Sequence, residues 1–192
     1  MRRVVLAVAL IAALLAAACG KRDAQQFQLT DVTGASFGKT LELTDHTGTR
    51  RTLADFKGKA VVIFFGFTHC PDVCPTALFD MSEVLNRLGA DAGKVNVLFV
   101  SVDPERDTPD KLKDYLSSFD PHLTGLTGDA ASVAAMLRAY RVYAKKVPLD
   151  GGGYTMDHTA LVYLMDKAGR FVAPFNLKRS PEEAAADLRR HI

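Results

Sequence analysis

Two cysteines separated by three residues are the clearest chemical signal in the sequence. Cys70 and Cys74 lie in the stretch THCPDVCP (68–75), in which a proline follows each cysteine. Two thiols at this spacing can form a disulfide, exchange electrons as a redox dithiol, or bind a soft metal ion as thiolates. A bridge that closes so short a loop would stabilise the fold by only roughly 2 kcal/mol. A purely structural disulfide is therefore the weakest of the three interpretations.

The residues around the cysteines predict a junction between a strand and a helix. The run 60–67 (AVVIFFGF) is continuously apolar, as in a strand buried on both faces, and 75–89 has helical apolar spacing with Pro75 suited to its first position. Cys74 would then be the N-cap residue or close to it, where backbone N–H groups and the helix dipole lower the pKa of a thiol. The redox cysteines of thioredoxin folds have two intervening residues instead of three, so thioredoxin activity does not transfer directly.

The order of the remaining elements predicts the fold. Apolar patterns, cap residues and turn signals predict an N-terminal hairpin (41–48 with 49–56), strands over 60–67, 94–102, 160–166 and 170–175, and helices over 75–89, 107–119, 129–140 and 180–192. This order predicts an α/β, thioredoxin-like fold. Residues 141–158 fit no element well, and we expect them to form an inserted loop or hairpin before the third core strand.

A metal site would need a donor beyond the two thiols, and the chain has five histidines. Structural zinc takes four ligands, whereas the soft ion Cu(I) suits two thiolates with one imidazole. His69 should point away from Cys70, while His158 precedes a strand whose start faces the cysteine loop in a thioredoxin-like sheet. His158 is thus the best ligand candidate, although a lone histidine at a strand entrance is more often structural. The other three histidines are weaker candidates. They lie in a predicted hairpin turn (His46), in a loop (His122) and at the C-terminus (His191).

Three aspartates lie close in sequence to these candidates. Asp72 stands between the cysteines, and Asp103 precedes Pro104 at the end of the second predicted strand, a normal start for a turn. We interpret both as loop or turn residues. Asp157 could orient the ring of His158.

The N-terminus predicts export and attachment to a membrane. Residues 1–18 have a charged start, an apolar run shorter than the roughly 20 residues of a membrane span, and small residues before Cys19, which predicts a signal peptide. Cys19 in this position resembles a bacterial lipobox, which implies cleavage before Cys19 and its lipidation; an uncleaved anchor or a simple signal peptide are the alternatives. We expect 19–40 to be a tether and 41–192 the domain, lipid-anchored in the bacterial cell envelope and facing the periplasm or the cell exterior.

Charge argues against one class of partner. The formal net charge is +2, and Arg2 and Arg3 of the predicted signal peptide supply both excess positive charges. The rest of the chain is therefore balanced and lacks the basic excess typical of nucleic-acid binding, so no nucleic-acid partner is expected.

Three stretches carry a resemblance to a known family. GKAVVIFFGFTHCPDVCPTAL (58–78), VLFVSVDPERDTP (97–109) and TMDHTALVYLMDKAGR (155–170) resemble, in this order, the Sco/SenC family of copper-binding proteins. The resemblance covers roughly residues 40–190 and implies a thioredoxin-like domain. It implies that Cys70, Cys74 and His158 bind copper, as Cu(I) and as Cu(II).

The resemblance also implies a function in cytochrome c oxidase assembly. One role is delivery of copper to the binuclear copper centre, with oxidase subunit II or another copper-transfer protein as partner. The alternative is a thiol-disulfide oxidoreductase that keeps the cysteines of subunit II reduced through the Cys70 and Cys74 dithiol. Since both roles use the same cysteines, the sequence leaves the choice open.

Overall fold

The computed structural model describes Gly38 and residues 40–192. The predicted signal peptide, the lipidation site Cys19 and nearly all of the predicted tether lie outside the described residues. Among the described residues, no helix is long and apolar enough to cross a membrane.

A seven-stranded mixed sheet forms the centre, and a separate two-stranded sheet lies beside it. The strands are β1 (Glu42–Asp45), β2 (Arg50–Thr52), β3 (Ala60–Gly66), β4 (Val95–Ser101), β5 (Leu123–Thr127), β6 (Ala144–Pro148), β7 (Tyr154–His158), β8 (Val162–Met165) and β9 (Phe171–Pro174). The helices are α1 (Val73–Leu88), α2 (Pro109–Leu116), α3 (Ala130–Ala139) and α4 (Pro181–Arg189), with 3₁₀ turns at Leu53–Phe56 and Gly89–Lys94. The strand order in the large sheet is β2-β1-β5-β4-β3-β8-β9.

The centre of the sheet is parallel and its flanks are antiparallel. Strands β3, β4 and β5 run parallel, whereas β8 pairs antiparallel with β3 and β1 pairs antiparallel with β5. All seven residues of β3 are buried, as its unbroken apolar run predicts. The predicted α/β thioredoxin-like fold with an N-terminal β-hairpin is confirmed.

Helices cover both faces of the sheet. Helices α1 and α2 follow consecutive parallel strands and therefore lie on one face, where α4 packs on α1. On the other face, Tyr140 after α3 packs its ring against Phe65 and Tyr163. These three aromatic residues are almost completely buried, and they form part of the core that packs against β3, the strand that precedes the cysteine loop.

The sequence pattern failed to predict one central strand. Strand β5 lies in the stretch HLTGLTG (122–128), in which Gly125 interrupts the apolar residues. A Cβ atom at Gly125 would lie 2.8 Å from Leu116 Cδ1, so the close approach of α2 requires glycine here. This requirement comes from tertiary packing and has no counterpart in strand propensity.

The stretch 141–158 contains the predicted insertion and forms a hairpin. Strands β6 and β7 pair antiparallel with Ala144 opposite His158, and they form their own sheet apart from the central one. The turn between them includes Gly152 and Gly153, both with positive φ. The hairpin ends at His158, so its position determines where this imidazole lies.

Candidate metal centre

The cysteine loop connects β3 to α1 at the carboxyl end of a central strand. Cys70 is half-buried in this loop, Cys74 is fully buried in the first turn of α1, and both are free thiols. Loops at the carboxyl ends of strands in α/β sheets are common sites for ligands. The junction predicted from the sequence is therefore present, with the two sulfurs in different environments.

Cys74 lies close to the start of the helix, as predicted, but it is not the N-cap residue itself. Helix α1 begins at Val73 with Asp72 as the N-cap, so Cys74 and Pro75 occupy its second and third positions. Proline is tolerated throughout the first turn because the N–H groups there have no partner within the helix. The backbone N–H of Cys74 instead donates to the sulfur of Cys70 over 3.4 Å.

The predicted lowering of the Cys74 pKa is wrong. Burial raises the pKa of the Cys74 thiol well above its ordinary value, a hydrogen bond with the Phe67 backbone opposes this, and the sulfur of Cys70 adds to the rise. Desolvation penalises the thiolate more than the Phe67 hydrogen bond stabilises it. A bound cation would favour the thiolate, so metal binding at Cys74 would release a proton.

His158 lies beside the buried cysteine. Its Nε2 atom is 4.0 Å from the sulfur of Cys74, although the two residues are 84 positions apart in the sequence. Its Nδ1 atom lies 3.1 Å from the carbonyl oxygen of Thr159. Because a carbonyl only accepts, this contact assigns the ring proton to Nδ1 and leaves the lone pair of Nε2 directed at the thiol. The imidazole is thus in the tautomer that a metal ligand at Nε2 requires.

Asp157, the predicted partner of the His158 ring, does not contact it. Asp157 is exposed and lies on β7 opposite Lys145, while the carbonyl of Thr159 holds the ring. A backbone carbonyl serves as well as a carboxylate for fixing the orientation of a metal-binding histidine. Neighbouring side chains on a strand point to opposite faces, which is why Asp157 does not reach the ring.

The donor set is partly assembled. In the described part of the chain, no three His, Cys, Asp or Glu side chains are already gathered closely enough to hold a metal ion. The structure does bring Cys74 and His158 together, and Cys70 adjoins them through the Cys74 amide. Two sulfurs and one imidazole suit a soft ion, so the residues present fit copper better than a hard cation.

His69, next to Cys70, is turned to a different contact. Its ring is exposed, and its Nδ1 atom lies 2.9 Å from the hydroxyl of Thr68. Outside the cysteine loop, His46 accepts from the Gly125 backbone and His122 pairs with Asp120. In the described part of the chain, the hydrogen-bond contact between a histidine and a cysteine sulfur is the one that His158 makes with Cys74.

Sequence reasoning missed a buried carboxylate that holds the cysteine loop. Asp107 is completely buried and accepts hydrogen bonds from the Thr68 backbone, the Thr68 hydroxyl at 2.7 Å and the Ser101 hydroxyl at 2.7 Å. Charge-assisted hydrogen bonds of this kind are among the stronger ones in proteins. The signal in the sequence was the acidic stretch DPERD (103–107) directly after a buried strand. Asp103, which we interpreted as a turn residue, is also buried.

Comparisons with known proteins agree on one family. The SCO1/SenC family profile matches residues 24–192. The chain is 40% identical over 176 residues to the mitochondrial SCO2 homolog of Bos taurus, which covers 90% of this chain and 66% of the bovine protein. The match to the SCO2 homolog of Danio rerio covers 55% of that protein, so the chain spans about half to two thirds of the length of these relatives.

Solved structures give the same result at the level of the fold. The structure of Bradyrhizobium japonicum ScoI with copper bound is 65% identical, with a TM-score of 0.79 over 81% of this chain and 99% of that chain. Yeast Sco1 with copper bound is 36% identical, with a TM-score of 0.74 over 81% of this chain and 88% of that chain.

Proposed function

Because the chain belongs to the SCO1/SenC family, we propose that it is a copper metallochaperone for the assembly of cytochrome c oxidase. Cys70, Cys74 and His158 bind the copper cargo in this proposal, as Cu(I) or Cu(II). The observation that carries it is the Nε2 atom of His158 directed at the sulfur of Cys74 from 4.0 Å. This contact joins two of the three stretches that resemble the family and supplies a third donor to the cysteine pair.

The chemistry of the three donors suits a cargo that must be both held and released. Two thiolates and a neutral imidazole give a net charge of −1 with Cu(I) and 0 with Cu(II), and either is tolerable at a half-buried loop. Cys70 is half-buried, so a partner's thiolates can approach from that side and exchange ligands with it. Oxidation of both thiols to a disulfide would remove two of the three donors, and copper loading would thus depend on the redox state.

The partner in this proposal is subunit II of the oxidase or another copper-transfer protein. The site lies at the cell envelope, held there by a lipid on Cys19 after removal of residues 1–18, with 19–40 as tether and 41–192 as the copper-binding domain. The lipobox-like N-terminus supports this location.

The test compares two histidine variants. His158→Ala should weaken Cu(II) binding sharply, because the borderline ion Cu(II) relies on an imidazole more than Cu(I) does. His69→Ala, which removes an exposed histidine next to Cys70, is the matched control and should leave the affinity unchanged. Both affinities are measured by chelator competition on the reduced protein, with circular dichroism to check folding. Unchanged Cu(II) affinity in a folded His158→Ala variant would remove His158 from the site.

Transfer is tested separately. Reduced, copper-loaded protein is mixed with the metal-free copper domain of oxidase subunit II, and the oxidised protein is assayed in parallel. Transfer only from the reduced and loaded form supports the chaperone function. Absence of transfer from that form would contradict it.

The unequal burial of the cysteines favours a second candidate function. Cys70 is half-buried and Cys74 fully buried, an arrangement suited to an attacking and a resolving thiol. As a thiol-disulfide oxidoreductase, the Cys70 sulfur would attack a partner disulfide and Cys74 would resolve the mixed disulfide. The chain would end with a Cys70–Cys74 disulfide and the partner with two thiols. Activity that survives His158→Ala but is lost in Cys74→Ser would favour this function.

A further inference from the structure

The loop DPERD (103–107), which we call the acidic loop, contacts both the cysteine loop and the β6–β7 hairpin that carries His158. At one end, Asp107 accepts hydrogen bonds from the backbone and hydroxyl of Thr68, two residues before Cys70. At the other end, Asp103 contacts Tyr154 of the β6–β7 hairpin, which carries His158. A single short loop therefore contacts two elements that are far apart in the sequence.

Asp103 and Arg106 contact the hairpin through two hydrogen bonds and a stacked pair, and an ion pair between these two residues supports the contact. Asp103 accepts from Arg106 Nε and, at 2.9 Å, from the hydroxyl of Tyr154. Arg106 Nη1 donates to the carbonyl oxygen of Tyr154 at 2.9 Å. The guanidinium carbon of Arg106 lies 3.9 Å from the centre of the Tyr154 ring, a cation–π distance. Tyr154 is thus held through its backbone, its ring and its hydroxyl.

Burial makes this contact strong and directional. Asp103 is only 1% exposed, so its charge is separated from water and depends on Arg106 and Tyr154 for compensation. Loss of a partner from a buried charge costs more than loss of an exposed ion pair. The nearby pair of Lys146 and Glu105 is exposed on both sides and contributes little by comparison.

The stack continues from Arg106 to the candidate ligand. The Phe67 ring lies 5.8 Å from the guanidinium carbon of Arg106, and the His158 ring meets Phe67 edge-on at 5.7 Å between ring centres. Phe67 is 2% exposed and directly precedes the cysteine loop. Tyr154, Arg106, Phe67 and His158 therefore form a continuous column between the start and the end of β7.

From this geometry we infer that Arg106 and Tyr154 are positioning residues for His158. They hold the β6–β7 hairpin against the acidic loop, and this sets the distance between the imidazole and the cysteines. The inference rests on the proposed copper site and adds to it the residues that place its third donor. Hairpin strands β6 and β7 pair only with each other, so the central sheet does not supply this restraint.

The test exploits the different need of the two copper ions for an imidazole. Tyr154→Phe keeps the ring but removes the hydroxyl that donates to Asp103, and Arg106→Gln removes the charge. Each should weaken Cu(II) binding on the order of tenfold, as is typical when a group that orients a metal ligand is lost. Cu(I) affinity should fall much less, because the two soft thiolates contribute most of its binding. Arg170→Gln is the matched control, since it removes an exposed arginine paired with Asp166 in another turn.

A double variant separates positioning from general destabilisation. In a His158→Ala background, Tyr154→Phe should cause no further loss of Cu(II) affinity, because the residue that it positions is absent. In the reduced protein without added copper, the backbone amides of β7 should exchange with solvent faster in Tyr154→Phe than in the wild type.

Two results would overturn the inference. One is an equal loss of Cu(I) and Cu(II) affinity, or no loss, in Tyr154→Phe; the other is a full additional loss in the His158→Ala background. Failure of the proposed ligand is distinguishable, since it would appear as unchanged Cu(II) affinity in His158→Ala alone. If Arg106→Gln fails to fold, Tyr154→Phe still decides the outcome.

Discussion

Substitution of Gly66 by alanine should disturb the core and the candidate site together. Gly66 is the last residue of β3, and a Cβ atom there would lie 2.6 Å from Phe99 Cε2 and 2.9 Å from the sulfur of Cys74. Both distances are well inside van der Waals contact. The φ angle of Gly66 is not in the left-handed region, so the effect of the added methyl group is purely steric.

The size of the effect follows from what can move. Phe99 and Cys74 are both 0% exposed, so neither side chain can turn into solvent. Overpacking of this kind costs about 1–3 kcal/mol of unfolding free energy. Displacement of the Cys74 sulfur would also change its 4.0 Å separation from His158 Nε2. Gly66→Ala should therefore lose stability and Cu(II) affinity at the same time.

Two other glycines provide matched controls. A Cβ atom at Gly125 would lie 2.8 Å from Leu116 Cδ1, a comparable clash against α2 instead of the cysteine, while a Cβ atom at Gly93 would meet nothing within 4 Å. Gly125→Ala should lose stability without losing copper affinity in the folded protein, and Gly93→Ala should change neither. Urea denaturation and chelator competition measure the two quantities. If Gly66→Ala keeps the stability and copper affinity of the wild type, the reasoning is refuted, because Phe99 and Cys74 would then be able to move aside at no cost.

Two further predictions concern pH. Burial would raise the pKa of Asp45, but hydrogen bonds from Thr47, Arg51 and Thr49 outweigh it and lower the pKa from 3.8 to about 2. Its ionised form should therefore contribute about 2 kcal/mol of stability above pH 3.8, and this contribution is lost as the pH falls towards 2. Urea denaturation should show a difference in unfolding free energy between wild type and Asp45→Asn that disappears at low pH. A difference that stays constant with pH would contradict this. Burial raises the pKa of the Cys74 thiol, so copper binding at Cys74 should release its proton. The loss of this one proton should raise the apparent copper affinity about tenfold per pH unit between roughly pH 6 and 8. An affinity independent of pH in chelator competition would show that Cys74 keeps its proton or does not bind the metal.

The sequence predicted the elements that local rules govern. The all-apolar run of β3, the Thr108 cap and Pro109 at the start of α2, and the capping box of Ser180 and Glu183 at α4 are all present. The caps form through hydrogen bonds between neighbouring residues, and the run of β3 indicates burial because all of its residues are apolar. Strand β5 was missed because the reason for Gly125 lies in α2, on the other side of a packing contact.

The environment of the cysteines was harder to predict than their importance. Their spacing indicated dithiol or metal chemistry, but the helix starts earlier than the position of Pro75 suggested. The pKa of Cys74 also shifts in the opposite direction, because burial in the folded chain penalises the thiolate. The burial of Cys74 depends on how the other elements pack around the cysteine loop, and the residues next to Cys74 in the sequence do not report it.

The sequence alone determined the fold class, the identity of the two thiols and the candidacy of His158, because residue types, their order and apolar periodicity carry this information. Only the tertiary structure decided that His158 Nε2 faces Cys74, and that the carbonyl of Thr159 holds the ring. It also showed that Asp103 and Asp107 brace the hairpin and the cysteine loop from one segment. The contact between His158 and Thr159 joins neighbours and depends on the backbone conformation at the end of β7. The other contacts join elements that are far apart in the sequence, and they form only when the sheet and the hairpin bring the backbone together.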